Sequence, residues 1–212
     1  MKIISTNIAK PGFVSINGKK QQTGIFKKPT SNPIYLDKEN VKGDEVTNRK
    51  VHGGKFKACY LFSANHYEHW ENLYPNLTWH YGMLGENLTV QGLDETQLFV
   101  GDIYKVGNAL IQITKPREPC TTFAAKIGSL DILEQFIAHG KPGTYTRILK
   151  EGNVAVGDTF KLIERQEESI TIAQLFRLLF DREKNQEHLQ LVVNNKTLPE
   201  KKRKELKRFI KA

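Results

Sequence analysis

The chain has 212 residues, 39% of them hydrophobic and 26% charged, with 11 Phe, 7 Tyr and 2 Trp. That is enough apolar material for one domain and a small appendage, and it excludes global disorder. Lys and Arg outnumber Asp and Glu by 32 to 23, so the net charge of +9 favours anionic partners: phosphorylated small molecules, nucleic acid or an acidic membrane surface.

Two cysteines, Cys59 and Cys120, exclude a disulfide scaffold and suit a reducing compartment. Residues 1–7 turn polar too early for the apolar core of an export signal. No stretch reaches the roughly 18 apolar residues of a membrane span. The expectation is a cytoplasmic protein with no membrane partner.

Short β-branched or aromatic runs between Gly, Pro and Asn predict strands over residues 2–8, 24–27, 34–37, 57–62, 87–91, 103–106 and 109–114. Their irregular spacing points to a mainly β, barrel-like fold with added helices. Tyr67, Trp70 and Tyr74 recur at the helical period within 63–74, as do Leu133, Phe136 and Ile137 within 130–139, so two helices interrupt the strands. Val100-Gly101-Asp102 and Val156-Gly157-Asp158 each precede an alternating run, which reads as one turn-to-strand device used twice.

After Glu164 the pattern becomes helical. A capping box at Thr171–Gln174, a run over 186–193 and a second box at Thr197–Glu200 predict three short helices, so the chain divides into residues 1–165 and a three-helix unit over 166–212. This unit holds +4 of the net charge, and Lys201, Lys202, Arg203, Lys204, Lys207, Arg208 and Lys211 crowd its last helix. With no interleaved aromatics and no nucleic-acid motif, that helix reads as a solvated face, and nucleic acid is a disfavoured partner. Its apolar positions are too few for a separate core, so the unit is expected to cover the β part or a second copy in a homodimer.

Phosphate-binding loops, dinucleotide fingerprints, Cys-x-x-Cys pairs, His-Glu-x-x-His and the Gly-x-Ser-x-Gly elbow are all missing from the sequence, which disfavours the enzyme classes that carry them. His66 and His69 sit three apart but lack a nearby third ligand for a metal. Three clusters hold more chemistry. In Lys115-Pro116-Arg117-Glu118-Pro119-Cys120 two prolines stiffen a loop, and Arg117 could stabilise a Cys120 thiolate as nucleophile or soft-metal ligand; a buried, inert cysteine is the other reading. Gly53 and Gly54 allow close backbone approach to a ligand, with Arg49, His52 and Lys57 as cationic or hydrogen-bonding flanks suited to phosphate; a plain turn is the alternative. Gly82, Gly85, Glu86 and Asn87 could orient a ligand or simply close a turn.

In this order the clusters resemble the MOSC family, in its YiiM-like branch. The resemblance rests on Gly43-Asp44-Glu45, Val51-His52-Gly53-Gly54, Lys57-Ala58, Tyr67 and Trp70, and Gly85-Glu86-Asn87-Leu88-Thr89 with Gly92. It continues through Gly101-Asp102, Pro116-Arg117-Glu118-Pro119-Cys120, Gly143, Tyr145, Arg147, Gly152 and Gly157-Asp158. It extends to the three-helix tail. Lys55-Phe56 and Lys115 depart from the pattern. The resemblance implies a β-barrel-like MOSC domain that binds molybdenum cofactor, a molybdopterin with a phosphate. Cys120 would ligate molybdenum or carry sulfur as a persulfide, with Arg117 as its cationic neighbour. Charge and position add Asn87, His52, Lys57 and the glycines Gly53 and Gly54 as pocket residues, and Arg49 and Arg147 as phosphate contacts.

The implied activity is reduction of N-hydroxylated compounds, such as hydroxylamino base analogues, with electrons from an external reductase. The alternative is a carrier of cofactor or of Cys120-bound sulfur, which would need an external sulfur donor. Pyridoxal phosphate belongs to the wider sulfurase family and is not expected to act here.

Overall fold

The strand β1 (Lys2–Ile8) opens the chain and is followed by β2 (Gly12–Ile16), β3 (Lys19–Thr23), β4 (Lys28–Thr30) and β5 (Ile34–Leu36). The structure, a computed structural model, describes residues 1–45 and 53–211. Beyond residue 52 come β6 (Cys59–Ser63), α1 (Tyr67–Leu73), β7 (Leu88–Gln91), β8 (Ile103–Val106) and β9 (Ala109–Pro116). Then follow α2 (Thr121–Ile127), α3 (Ile132–His139), β10 (Thr144–Lys150), β11 (Gly152–Val154), β12 (Lys161–Glu164), α4 (Ile172–Phe180), α5 (Gln186–Asn194) and α6 (Glu200–Lys207). Among the described residues no helix is long and apolar enough to cross a membrane.

Eight strands form one sheet in the order β12-β8-β9-β10-β6-β7-β1-β4, while β2 pairs with β3 and β5 with β11. Neighbours are antiparallel except β6 and β7. Parallel neighbours need a crossover, which the segment carrying α1 supplies. Near one edge, Ile3 N donates to Asp158 O at 2.9 Å and accepts through its carbonyl from Gly157 N at 2.9 Å, and Phe160 N donates to Met1 O at 3.1 Å. These bonds tie β1 to the segment feeding β12 at the opposite edge, so the sheet curls into a half-barrel.

β6 is buried along its whole length, and its two faces serve two cores. Cys59 and Leu61 join an apolar cluster with Ile3, Val90, Ile111 and Ile113. Tyr60 and Phe62 join an aromatic one with Tyr67, Trp70, Phe123 and Phe136. This is the two-residue period of a strand covered on both sides.

The reused device is real: Phe99 N donates to the Asp102 carboxylate at 3.1 Å, Ala155 N to that of Asp158 at 2.9 Å, and the strands that follow, β8 and β12, pair with each other. Residues 24–27 are not a strand. Gly24 ends the β2–β3 hairpin, and a side chain there would collide with the Glu45 carbonyl, so the run is a close-packed connection. The hairpin turn itself, Asn17-Gly18 with φ of 51° and 73°, matches the strongest short hairpin signal in sequences. Lys57, expected to begin a strand, instead ends a 3₁₀ turn over Lys55–Lys57 before β6.

The tail lies on the β part. Leu175, Leu178, Leu189, Val192, Leu198 and Leu206 belong to the apolar cluster, and Phe176 packs 6.3 Å from the Phe136 ring. Its first capping box forms: Thr171 Oγ1 accepts from Gln174 N, and Gln174 Oε1 from Thr171 N. Thr171→Ala should therefore cost about 1 kcal/mol, lowering Tm by roughly 2–4 °C in a thermal melt. The second box does not form. α6 starts after Pro199, whose side chain has no acceptor to cap it, and Thr197 N donates instead to the Asn195 amide oxygen at 2.9 Å.

Candidate functional site

β9 runs through the core and delivers the chain at Pro116, paired with Thr144 of β10, into the loop that ends at Cys120. Cys120 is extended at φ −142°, ψ 164° and starts α2: Phe123 N and Ala124 N donate to its carbonyl at 2.9 and 3.1 Å. Its backbone is thereby fixed while its thiol is left uncommitted to the cap. The side chain is half-buried against the aromatic cluster. Cys59, fully buried on β6, is the opposite case: burial pushes its thiol up, away from thiolate chemistry.

Arg117 does not project into solvent. Its guanidinium is buried 4.4 Å from the Phe123 ring centre and 5.2 Å from that of Tyr60, and it donates to the Leu84 carbonyl. It therefore bolts the Cys120 loop to the Gly82–Glu86 segment by stacking and one hydrogen bond. A fixed positive charge remains behind the thiol.

A cationic rim lies in front. Lys115, itself buried, pairs with Glu118 at 2.7 Å, and Lys202 of α6 reaches the other carboxylate oxygen of Glu118 at 3.3 Å. Burial would raise the Glu118 carboxyl, but Lys115 and Lys202 outweigh it and hold it below the usual range. Lys57 Nζ stands 5.7 Å from the Tyr145 ring. Burial first, then Lys115, lower its pKa to about 8; Lys202 adds to that, while Glu118 and Cys120 oppose it. Tyr145 and Arg147 share a face of β10, and Tyr145 is the register partner of Lys115. Arg147 lies 5.9 Å from the Phe56 ring, and its Nε is buried with no hydrogen-bond partner among the described residues. The last helix is thus not only a solvated face: Lys202 belongs to the site.

Gly53 and Gly54 lie just before the 3₁₀ turn. A side chain at Gly54 would meet no described atom within 4 Å. Arg49 and His52 fall outside the described residues. Asn87 is committed to protein: Tyr60 N donates to its oxygen at 3.2 Å, and its nitrogen donates to Asp44 at 2.9 Å and to Asn7 O at 3.3 Å. Glu86 likewise accepts from Tyr67, Gly82 N and Thr89. Both brace the site from behind. Lys115, Glu118, Tyr145 and Lys202 were not singled out as site residues by sequence. For Lys202 no local signal exists, since 84 residues separate it from Glu118.

A separate cluster joins His66 and His69 to His139 at the end of α3. His69 stacks on His139 at 4.1 Å, and His66 Nε2 is 3.9 Å from buried Glu95. Among the described residues no three His, Cys, Asp or Glu side chains form a metal-holding group. Burial, with neighbouring imidazoles and Lys141, lowers His66 and His139 to about 4. Groups depressed below an unfolded value near 6.5 stabilise the fold above that pH and lose the contribution as pH falls towards 4. Burial raises the Glu95 carboxyl and so acts in the opposite sense. With both imidazoles part-exposed, the net loss should be about 2 kcal/mol, or roughly 4–8 °C of Tm between pH 7 and pH 4.5, and His139→Asn should remove about half of it.

A curled β sheet whose strand β9 runs into a loop presenting one half-exposed thiol defines a β protein with a cysteine-centred candidate site. The chain belongs to the MOSC domain family, whose model matches residues 48–161. It is 33% identical over 198 residues to protein YflK of Bacillus subtilis, covering 93% of this chain and 89% of that one. It is 30% identical over 156 residues to protein YiiM of Escherichia coli, covering 73% and 70%. A Gibberella moniliformis protein called a reductase matches at 32% over 151 residues, 70% of this chain but 27% of its own. The crystal structure of YiiM from Geobacillus stearothermophilus superposes with a TM-score of 0.81 at 28% identity, covering 99% of both chains. The YiiM-like branch is thereby established.

Proposed function

We propose that this protein is a cytoplasmic molybdenum-cofactor reductase of N-hydroxylated compounds, hydroxylamino base analogues among them. The observation that carries the reading is the Cys120 thiol, half-exposed on a loop braced by Arg117, with Lys57 nearby and Lys115 and Lys202 paired to Glu118 two residues before it. A lone thiolate is a poor site for a bare ion, which wants three or more protein ligands, and a good one for a soft metal that arrives with its own chelator. The residues present fit such a group. Cys120 is the soft donor, and Arg147, with a buried Nε unspent among the described residues, suits an anion such as the pterin phosphate.

When bound, molybdenum supplies oxygen-atom transfer. The protein's own part is to hold Cys120 through Phe123 N and Ala124 N, keep a fixed cation behind it in Arg117, and offer ammonium groups to anions in front. The net change, R–NHOH with two electrons and two protons giving R–NH2 and water, draws its electrons from an external reductase. The word reductase in the fungal relative's name supports this class.

The test is to purify the protein from a host that makes the cofactor. Molybdenum and pterin near one per chain, with turnover of a hydroxylamine substrate given an electron donor, is the expected result. Stoichiometric sulfur release without turnover would replace the enzyme by a sulfur carrier, and absence of both metal and pterin would overturn cofactor binding altogether.

A further inference from the structure

In the chain, Cys120 lies between two cations that reach the same short segment. Arg117, three residues before it, donates to the Leu84 carbonyl. Lys126, in the last turn of α2, donates to the Gly82 carbonyl at 3.3 Å and to the Ile25 carbonyl at 3.0 Å. A side chain at Gly85 would stand 3.3 Å from Ile25 and 3.6 Å from an Arg117 nitrogen, so these parts of the chain converge on one place. Neither carbonyl needs Lys126 to be satisfied, since Ile25 O also accepts from Lys27 N at 2.9 Å and Gly82 O from Gly85 N at 3.0 Å. An ammonium taken out of water without being required as a donor is a cost to the fold. Burial lowers the Lys126 pKa to about 7, with Glu86 opposing and Arg117 and Lys27 adding to the fall. Lys27 is itself paired with Asp44. The other elements packed on α2 add little charge: β2 has no ionisable side chain, and α3 brings Glu134, which is exposed, and His139, which lies in the imidazole cluster.

We propose that Lys126 is a positioning residue for Cys120: together with Arg117 it clamps both flanks of the thiol to the Gly82–Glu86 segment, one cation before the cysteine and one after it. α2 starts on the Cys120 carbonyl, so any shift of α2 along that segment moves the thiol with it. Arg117 alone pins one point and leaves a hinge; a second point beyond the cysteine removes it. A charged donor holds a carbonyl about twice as strongly as a neutral one, so the grip is firmest in the ammonium form and slackens as pH rises through about 7. Stability runs the other way. A lysine depressed below its unfolded value of about 10.4 costs the fold in full below about pH 7, and the cost fades as pH rises between the two values. The inference rests on the reading of Cys120 as the working thiol, but it is measured on the thiol itself.

The experiment follows alkylation of Cys120 by iodoacetamide in the full-length protein, read by intact mass, with no metal or turnover required. Cys120→Ser, which leaves only the buried Cys59, gives the blank. Lys126→Met should react at least about threefold faster than wild type at pH 6, while its Tm is unchanged or higher. Taking the ratio of the two rates at each pH cancels the thiol's own ionisation. That ratio should fall by about half or more by pH 8.5, where the wild-type amine is largely neutral. Lys126→Arg, charged throughout, should match wild type at pH 6 and react more slowly than wild type at pH 8.5, and it carries the test if Lys126→Met does not fold. Equal rates for Lys126→Met and wild type at pH 6, a ratio that does not move with pH, or the same acceleration in Thr171→Ala, which weakens the fold at the start of α4, would overturn the clamp; so would Lys126→Arg tracking wild type at both pH values. A protein that shows the clamp but holds no molybdenum would lose the proposed function and keep this role for Lys126. Bound molybdenum with alkylation rates indifferent to Lys126 would do the reverse.

Discussion

Cys120→Ser should strip molybdenum from the protein by at least about tenfold and lower turnover by about 100-fold or more, while changing stability by less than about 1 kcal/mol. The separation of the two effects follows from geometry. α2 is started by the Cys120 carbonyl, which accepts from Phe123 N and Ala124 N, so a serine of similar shape keeps the helix start. The sulfur is spent on no cap and lies half-open to solvent. What is lost is the soft, ionisable donor, since a hydroxyl neither ionises near neutral pH nor favours a soft metal. Metal content by elemental analysis, turnover and a thermal melt read the three expectations. Unchanged metal content would remove Cys120 as a ligand; unchanged turnover would remove it from the reaction.

The loop that carries Cys120 was legible because its signal is local: two prolines, an arginine and a cysteine within five positions. The same holds for β1, β8, β9 and α4, whose periods are strong and whose turns carry Gly, Asp or a capping Thr. β10 was not read as a strand, for Thr144–Lys150 ends in exposed residues and carries Arg147 and Lys150, which dilute the alternation that burial of Thr144, Thr146 and Ile148 creates. α2 was hidden for a different reason: its first residues are Thr121 and Thr122, poor helix formers, and it is held by its packing of Phe123, Ala124 and Ile127. Arg117 was read as the cationic neighbour of Cys120; what the sequence did not show is the aromatic box that holds it, which tertiary packing builds and no spacing encodes. Lys202 and His139 could be assigned to their clusters only once distant elements had been brought together.

Asp44→Ala should be among the most destabilising single changes outside the site, at about 3–5 kcal/mol and a Tm loss of roughly 6–20 °C. Asp44 is buried and pairs with the buried ammonium of Lys27; it also accepts from Ala9 N at 2.7 Å and from the Asn87 amide at 2.9 Å. Removing it leaves one charge and two donors without an acceptor in a place water reaches poorly. Asp44→Asn keeps one acceptor but not the charge and should fall between alanine and wild type. Adding Lys27→Met to Asp44→Ala removes the stranded cation, and the double variant should recover most of the loss, as buried ion pairs replaced by apolar groups commonly do. The damage should also reach the site. Asn87, once released, no longer holds Tyr60 N, and Tyr60 is the ring on which Arg117 stacks behind Cys120. Asp44→Ala is therefore expected to lose cofactor together with stability, whereas the double variant should regain stability and leave cofactor content short of wild type. A chemical-denaturation series on the three variants, read beside their molybdenum content, checks both parts. A cost below about 1 kcal/mol for Asp44→Ala would show that the buried pair is not what ties the front of the sheet to the thiol loop.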